Sequence, residues 1–289
     1  MTTVRVAVPR KGRPLEAVLQ RIAGVSELEE RADGIASTLR YEKAITKGDQ
    51  SAERDVYDRL SAYSSTDRYA PEYTLLRDSR PGFPRRIVFD SLRISLDRHE
   101  LHLVGREEPF RALRKHEFAL GFDSADLVLE EVVGIEPEPL SSLAELNDRI
   151  DPRDTDVRVA GGLGDTVHHT LLSTPDLIES PTRAFLSEYE GPLCISPRYE
   201  RLVEAVLGTD AMDGISFRYP EDREAEAAIA SVGIGVYLTV TGSTAREHGL
   251  RVGEKLFPSE TVLLENPAES DEATTDIAEA IAGETETLA

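Results

Sequence analysis

Between Thr241 and Thr244 the chain reads Thr-Gly-Ser-Thr, three hydroxyls around one glycine, directly after the apolar positions Val236, Leu238 and Val240. Apolar residues at every second position mark a half-buried strand, and Gly242 is free to take the positive φ that a tight strand-to-helix turn needs. Such a turn aims backbone N–H groups and hydroxyls at one point, where the start of the next helix adds partial positive charge. A phosphomonoester is the natural guest of that arrangement. Ser and Thr also open helices as ordinary caps, so on these residues alone both readings stand.

A second candidate lies near the start of the chain. Pro9-Arg-Lys-Gly-Arg-Pro14 joins a strand, Thr3–Val8, to a helix whose Leu15, Val18, Leu19 and Ile22 recur at i, i+3, i+4 and i+7. Three positive charges in one loop either meet an anion or form a solvated basic turn. Around them the chain is acidic, with 54 Asp and Glu against 33 Lys and Arg and a formal charge of −21 over 289 residues. That balance excludes a general electrostatic grip on nucleic acid or an anionic membrane, so a phosphate ligand needs a local positive pocket. Lysine occurs only at positions 11, 43, 47, 115 and 255, and Trp is absent. This acid-rich, Lys-poor composition resembles that of cytoplasmic proteins from salt-loving archaea.

Cys194 is the single cysteine, which rules out an internal disulfide and argues against a zinc site. No segment approaches the roughly 18 apolar residues of a membrane span, and the N-terminus shows no signal-peptide pattern. A cytoplasmic protein is expected.

The elements that must position the two loops read as alternating strands and helices, an α/β architecture with mainly parallel sheets. Residues 41–84 are polar, Tyr- and Arg-rich and broken by Pro71 and Pro81, and read as an insertion, part helix and part loop. Three short strands follow at 86–90, 92–96 and 100–104, then a buried strand at Phe118–Phe122 and a helix opened by Ser124-Ala-Asp126. Further helices are expected near Ser141–Ile150, at Tyr199–Leu207 and at Glu221–Val232, with one more around Thr275–Ile281. His168 and His169 are adjacent on a loop or edge strand, where neighbouring side chains face opposite ways and so form no ligand pair. Gly161-Gly-Leu-Gly164 reads as a turn.

Four segments resemble, in order and character, the ATP phosphoribosyltransferase family, which catalyses the first step of histidine biosynthesis. Val6-Ala-Val-Pro-Arg-Lys-Gly-Arg-Pro14 is similar to the family's strand and Pro-Lys-Gly-Arg-Leu loop, with one residue added and Pro for Leu. Ala119-Leu-Gly-Phe-Asp-Ser-Ala-Asp-Leu-Val-Leu-Glu130 resembles its Asp-Leu-Gly-Ile-Thr-Gly-x-Asp-x-x-x-Glu stretch. Glu224 begins, and Thr241-Gly-Ser-Thr244 closes, a run with the spacing of the family signature, and Leu256-Phe-Pro-Ser-Glu-Thr-Val-Leu-Leu264 resembles the closing helix and strand. The chain departs from the pattern at Tyr237, where the family has an Asp expected to hold ribose hydroxyls, and also at Ala119, Ala230, Gly235 and Ala245.

The resemblance implies a two-lobed α/β architecture like a type II periplasmic binding protein, with ligands in a cleft. The first lobe would be 1–134 with 236–289, and the second 135–235. It implies transfer of phosphoribose from phosphoribosyl pyrophosphate to N1 of ATP, with Mg²⁺ bound through substrate phosphates. Thr241, Gly242, Ser243 and Thr244 would hold the ribose 5-phosphate, Lys11 and Arg13 would face pyrophosphate or triphosphate, and Glu224 and Asp126 would contact ribose and the nucleotide or Mg²⁺. The bland roles of Glu224 and Asp126, an exposed helix carboxylate and a helix-opening residue, remain open beside these. A homo-oligomer is implied, with a regulatory subunit as a further partner. The rival reading is a non-catalytic paralogue that binds a phosphorylated ribose or nucleotide as a sensor or regulatory subunit, which the substitution at Tyr237 favours.

Overall fold

The computed structural model describes residues 2–26, 28–77, 85–96, 98–136, 138, 147–220 and 225–282. The chain divides into two compact units, each built on its own sheet. Among the described residues, unit 1 takes those up to Asp123, then 156–163, then 261–282, and unit 2 takes 124–155 and 164–260.

Unit 1 opens with β1 (Thr2–Pro9), α1 (Gly12–Ser26), α2 (Glu29–Lys47) and α3 (Val56–Tyr63). It continues with β2 (Glu72–Arg77), β3 (Arg85–Leu96), β4 (His99–Arg106), α4 (Pro109–Arg114) and β5 (Leu120–Ser124). Unit 2 starts at α5 (Ala125–Val132), after which β6 (Arg158–Gly162) returns to the first sheet. Next come β7 (Val167–Ser173), α6 (Arg183–Leu186), β8 (Gly191–Cys194), α7 (Glu200–Leu207) and β9 (Ile215–Arg218). Then α8 (Ala225–Val232), β10 (Ile234–Thr239), α9 (Ser243–Glu247) and β11 (Arg251–Ser259) complete unit 2. The chain finishes unit 1 with β12 (Thr261–Glu265) and α10 (Glu272–Ala282).

The first sheet has seven strands in the order β2-β3-β4-β1-β5-β12-β6, and the second has five in the order β11-β7-β10-β8-β9. Both are mixed rather than mainly parallel. In the first, β1 runs parallel to β4 and β5, while β2, β3 and β4 form antiparallel neighbours. In the second, β7 is antiparallel to both β10 and β11. The expectation of parallel strands assumes a helical crossover between each pair; β3 and β4 have no room for one.

The core of unit 1 is made by the residues whose spacing announces it. Leu15, Val18, Leu19 and Ile22 of α1 are all buried against Val4, Val6 and Val8 of β1, Leu101 and Leu103 of β4 and Phe122 of β5. At roughly 25 cal/mol per Å² of apolar surface, burying side chains of this size gives about 1.5–3 kcal/mol each. α1 is thereby fixed, and with it the cationic loop before its first turn.

Elsewhere the structure corrects the sequence reading. The stretch 86–96 is one continuous strand, β3, and the 41–84 insertion contributes the end of α2, the whole of α3, and β2, which pairs with β3. The helix expected near Ser141–Ile150 falls largely on residues outside those described; Asn147–Arg149 form a single tight turn. Residues 256–259 belong to β11, where a helix is implied by the resemblance. The expected lobe boundary also shifts: residues 236–260 belong to unit 2, because β10 and β11 pair with β7, and 156–163 belong to unit 1 through β6 and β12. Among the described residues no helix is long and apolar enough to cross a membrane.

Candidate functional site

In unit 2, β10 delivers the hydroxyl loop. It is packed from Ile234 to Val236 and ends at Thr239, so Val240, expected inside the strand, is 81% exposed and already in the turn. Gly235 is needed for that packing, since a Cβ there would lie 2.5 Å from the Cys194 carbonyl oxygen and 2.6 Å from Ile229 Cγ1. Gly242 then takes φ 70° and ψ 15° and caps α9, with no side chain to offer. The hydroxyls of Thr241, Ser243 and Thr244 stay on exposed residues.

Inside the loop, Thr241 Oγ1 lies 3.0 Å from Ser243 Oγ and accepts from the Ser243 N–H at 3.4 Å, the long end of a hydrogen bond. Arg246 reaches back from α9 and donates through Nη1 to the Thr241 carbonyl at 3.0 Å. The turn is therefore held in shape by a guanidinium on its own helix. Behind it, Ala245 and Leu250 pack into a small core with Leu172, Cys194 and Ile229. Tyr237 packs against this cluster, and burial, followed by the Glu226 charge, pushes its phenol above the ordinary range. At neutral pH its hydroxyl stays protonated.

In unit 1 the cationic loop is partly tied down. Arg10 donates through Nε to the Gly105 carbonyl at 3.0 Å and lies 3.4 Å from Asp90. Lys11 pairs with Glu107 at 3.1 Å, with side chains 39% and 43% exposed. An exposed pair of this kind is worth only about 0.2–1 kcal/mol, so Glu107 holds Lys11 lightly. Gly12, at φ 82°, begins α1, and Arg13 follows, half-buried, in its first turn.

Asp126 sits in a different setting from the expected ligand contact. It is 2% exposed at the start of α5. One oxygen meets His169 Nε2 at 3.1 Å and the other accepts from the Leu127 N–H at 3.1 Å. Burial alone would raise this carboxyl, but hydrogen bonds from His169, Tyr199 and Ser259 outweigh it and hold it below the usual carboxylate range. The His169 ring stands edge-on to Tyr199, with ring centroids 4.7 Å apart. One turn along α5, Glu130 accepts from the Arg201 and Leu202 N–H groups at 3.3 and 2.8 Å, and Arg201 donates to the Val133 carbonyl at 2.8 Å. In this chain Glu130 thus clamps α5 to the first turn of α7, and both carboxylates of the Asp-x-x-x-Glu pair are committed to protein partners.

Glu130 therefore caps a helix from outside its own sequence. Replacing Glu130 with alanine should cost about 1–2 kcal/mol, as loss of a helix cap does, whereas Glu130→Gln, which keeps an acceptor oxygen, should cost clearly less. Urea denaturation of the two variants checks this, and equal losses would refute the capping role.

Glu224 lies outside the described residues. His168 and His169 do face opposite ways, His169 being buried and His168 only half so. Their strand β7 is internal, between β10 and β11, and not an edge. Gly164 is a turn residue at φ 74° whose N–H donates to Glu260 at 2.5 Å. The sequence reading missed His169, Tyr199 and Ser259. No spacing signals them, because three separate elements bring them to Asp126.

Two α/β units, each with its own sheet, place this chain among two-lobed α/β proteins. It belongs to the halobacterial ATP phosphoribosyltransferase family, whose profile matches residues 1–289. No curated protein matches it. Among solved structures, the ATP phosphoribosyl transferase (HisG:HisZ) complex from Thermotoga maritima is 15% identical, with 96% of each chain covered and a TM-score of 0.43. YhfZ from Shigella flexneri is 10% identical over 99% of this chain and 93% of its own, at 0.42. DctP7, a Bordetella pertussis extracytoplasmic solute receptor binding pyroglutamic acid, is 10% identical over 98% and 78%, at 0.38. Overlaps of this quality carry no functional weight, and family membership rests on the profile match.

Proposed function

We propose that the chain transfers a phosphoribosyl group from phosphoribosyl pyrophosphate to N1 of ATP, releasing pyrophosphate. The observation that carries this reading is the family match over the full length, and the exposed Thr241–Thr244 turn agrees with it. A bond forms between N1 of ATP and C1 of the ribose as the C1–oxygen bond to pyrophosphate breaks, with the electron pair leaving on pyrophosphate. The chain's task is to align a weak nucleophile with C1 and to neutralise the leaving charge. The Thr241, Ser243 and Thr244 hydroxyls and the turn's N–H groups take the 5-phosphate. Lys11 and Arg13 take polyphosphate oxygens, the guanidinium as a fork and the ammonium as a point charge. Tyr237 offers a neutral hydroxyl where the family has a carboxylate, so any ribose contact there is a single uncharged hydrogen bond.

Mg²⁺ would ride on the polyphosphate oxygens, which suits a cation that keeps most of its water. Among the described residues no three His, Cys, Asp or Glu side chains converge, and Asp126 is already engaged, so no step is assigned to a protein-held metal. A regulatory subunit and a homo-oligomer belong to the same proposal through the family resemblance.

The test is pyrophosphate release by the purified chain supplied with ATP, phosphoribosyl pyrophosphate and Mg²⁺. Turnover is expected, and Thr244→Ala should reduce kcat/KM roughly ten- to hundredfold, the worth of a hydrogen bond to a charged group. The second reading, a non-catalytic paralogue, is favoured by Tyr237. Binding of phosphoribosyl pyrophosphate without turnover would establish it in place of the first.

A further inference from the structure

Strand register places five polar side chains on one face of the unit-2 sheet. Directly opposed residues of an antiparallel pair share a face, as do residues two apart on a strand. Thr170 opposes Tyr237 on β10 and Lys255 on β11, where a register irregularity on each side of Lys255 interrupts the two-residue alternation, and His168 opposes Thr239. His168, Thr170, Tyr237, Thr239 and Lys255 therefore lie together. The side chains agree, for Thr170 Oγ1 and Thr239 Oγ1 are 2.7 Å apart. The hydroxyl turn folds back over this same face. Val252 opposes Leu172, two residues from Thr170, and a Cβ at Gly242 would lie 2.8 Å from Val252 Cγ2. Since β10 and β11 both flank β7, the two outer strands are about 10 Å apart, a distance that a sugar phosphate and a lysine side chain bridge together.

The charge on this face is unusual for the chain. Lys255 is one of five lysines in a protein of net charge −21, it is exposed, and no carboxylate among the described residues pairs with it. Lys11, by contrast, is held by Glu107. The group that feels Lys255 is His168, which burial first and Lys255 second keep from taking up a proton. Glu226 of α8 is the carboxylate felt by Tyr237, on the β10 side. An unneutralised ammonium near the His168 ring attracts anions, and the Thr241–Thr244 turn lies over the same face through Gly242 and Val252.

We propose that Lys255, with His168 beside it, is a second anion contact of the Thr241–Thr244 site. It would take the negative charge that a phosphorylated ribose carries beyond the phosphate seated in the turn. This rests on the phosphoribosyl reading for the ligand's identity, but the charge arrangement stands without it.

Calorimetric titration of the full chain and its Lys255→Gln variant, with phosphoribosyl pyrophosphate, inorganic pyrophosphate and inorganic phosphate as probes, tests the assignment. Lys255→Gln should weaken phosphoribosyl pyrophosphate by about tenfold or more, the usual loss of a charged hydrogen bond. Inorganic phosphate, small enough for the turn alone, should change far less. Lys255→Arg should restore most of the affinity, and His168→Asn should give a smaller loss. Unchanged binding of phosphoribosyl pyrophosphate by Lys255→Gln overturns the Lys255 contact and leaves the proposed function standing. If the wild-type chain ignores phosphoribosyl pyrophosphate yet binds pyrophosphate in a Lys255-dependent way, the proposed function falls and the contact stands. Binding of none of the three overturns both.

Discussion

Gly242→Ala is expected to abolish tight binding of phosphoribosyl pyrophosphate while leaving the chain folded. At φ 70° the residue is in the left-handed region, where a Cβ costs roughly 1–2 kcal/mol against the following carbonyl. The new methyl would also meet Val252 Cγ2 at 2.8 Å, and a β-branched side chain in a strand has little rotamer freedom with which to retreat. The combined loss of stability should be about 1–3 kcal/mol, which a domain with its own packed core survives. Binding should suffer more, at least tenfold, because a turn that relaxes toward negative φ no longer points its N–H groups at one oxygen. Thermal unfolding and calorimetry of Gly242→Ala check the two effects separately. Adding Val252→Ala should recover the part due to the contact but not the part due to φ. Wild-type affinity in Gly242→Ala would remove the turn from the site.

Asp126→Ala should have the largest effect on stability, about 3–5 kcal/mol, because each buried donor left without an acceptor costs about 1–3 kcal/mol. It strands the His169 ring and the Tyr199 and Ser259 hydroxyls without their shared acceptor. The sign of the pH dependence follows from the lowered carboxyl. A depressed folded-state value means that the stabilisation is fully present above the unfolded value, near pH 3.9 for Asp. It is lost as pH falls through the folded value. Below about pH 4 the wild-type chain should therefore lose stability more steeply than Asp126→Asn. Urea denaturation across that range measures the difference, and parallel curves would mean that Asp126 is not held ionised by its neighbours. With the carboxylate buried this way, any effect of Asp126→Ala on ligand binding is expected to be indirect, through the packing of α5.

Much of the fold could be read before any coordinates. The i, i+3, i+4, i+7 pattern of α1 gave its buried face because an amphipathic helix has one way to hide such a stripe, and Ser124 and Asp126 mark the start of α5 for the reason that short polar side chains favour helix entries. The same pattern in Ala32, Ile35, Ala36 and Leu39 of α2 is equally legible, and all four are buried. What escaped was pairing. Glu72–Arg77 lies in a stretch read as helix and loop, with only half-buried side chains between its exposed ends, and it is a strand paired with β3. Residues 251–259 run as a bulged strand against β7, and a register interrupted by bulges has no clean alternation to detect.

The candidate site divides along the same line. The glycine-and-hydroxyl turn and the cationic loop are each contained in fewer than seven consecutive residues, so residue order alone was enough to mark them as candidates. Asp126 shows the opposite case. Its type and position suggested a ligand contact, and only the tertiary structure revealed that His169, Tyr199 and Ser259, distant in the chain, surround it. The same holds for Lys255, whose neighbours are set by which strands lie side by side. Chain order fixes backbone preferences and hydrophobic periodicity, because these act over a few residues. The electrostatic surroundings of a buried carboxylate or a lone ammonium depend on groups many residues away, and folding alone decides which of them come within a few ångströms.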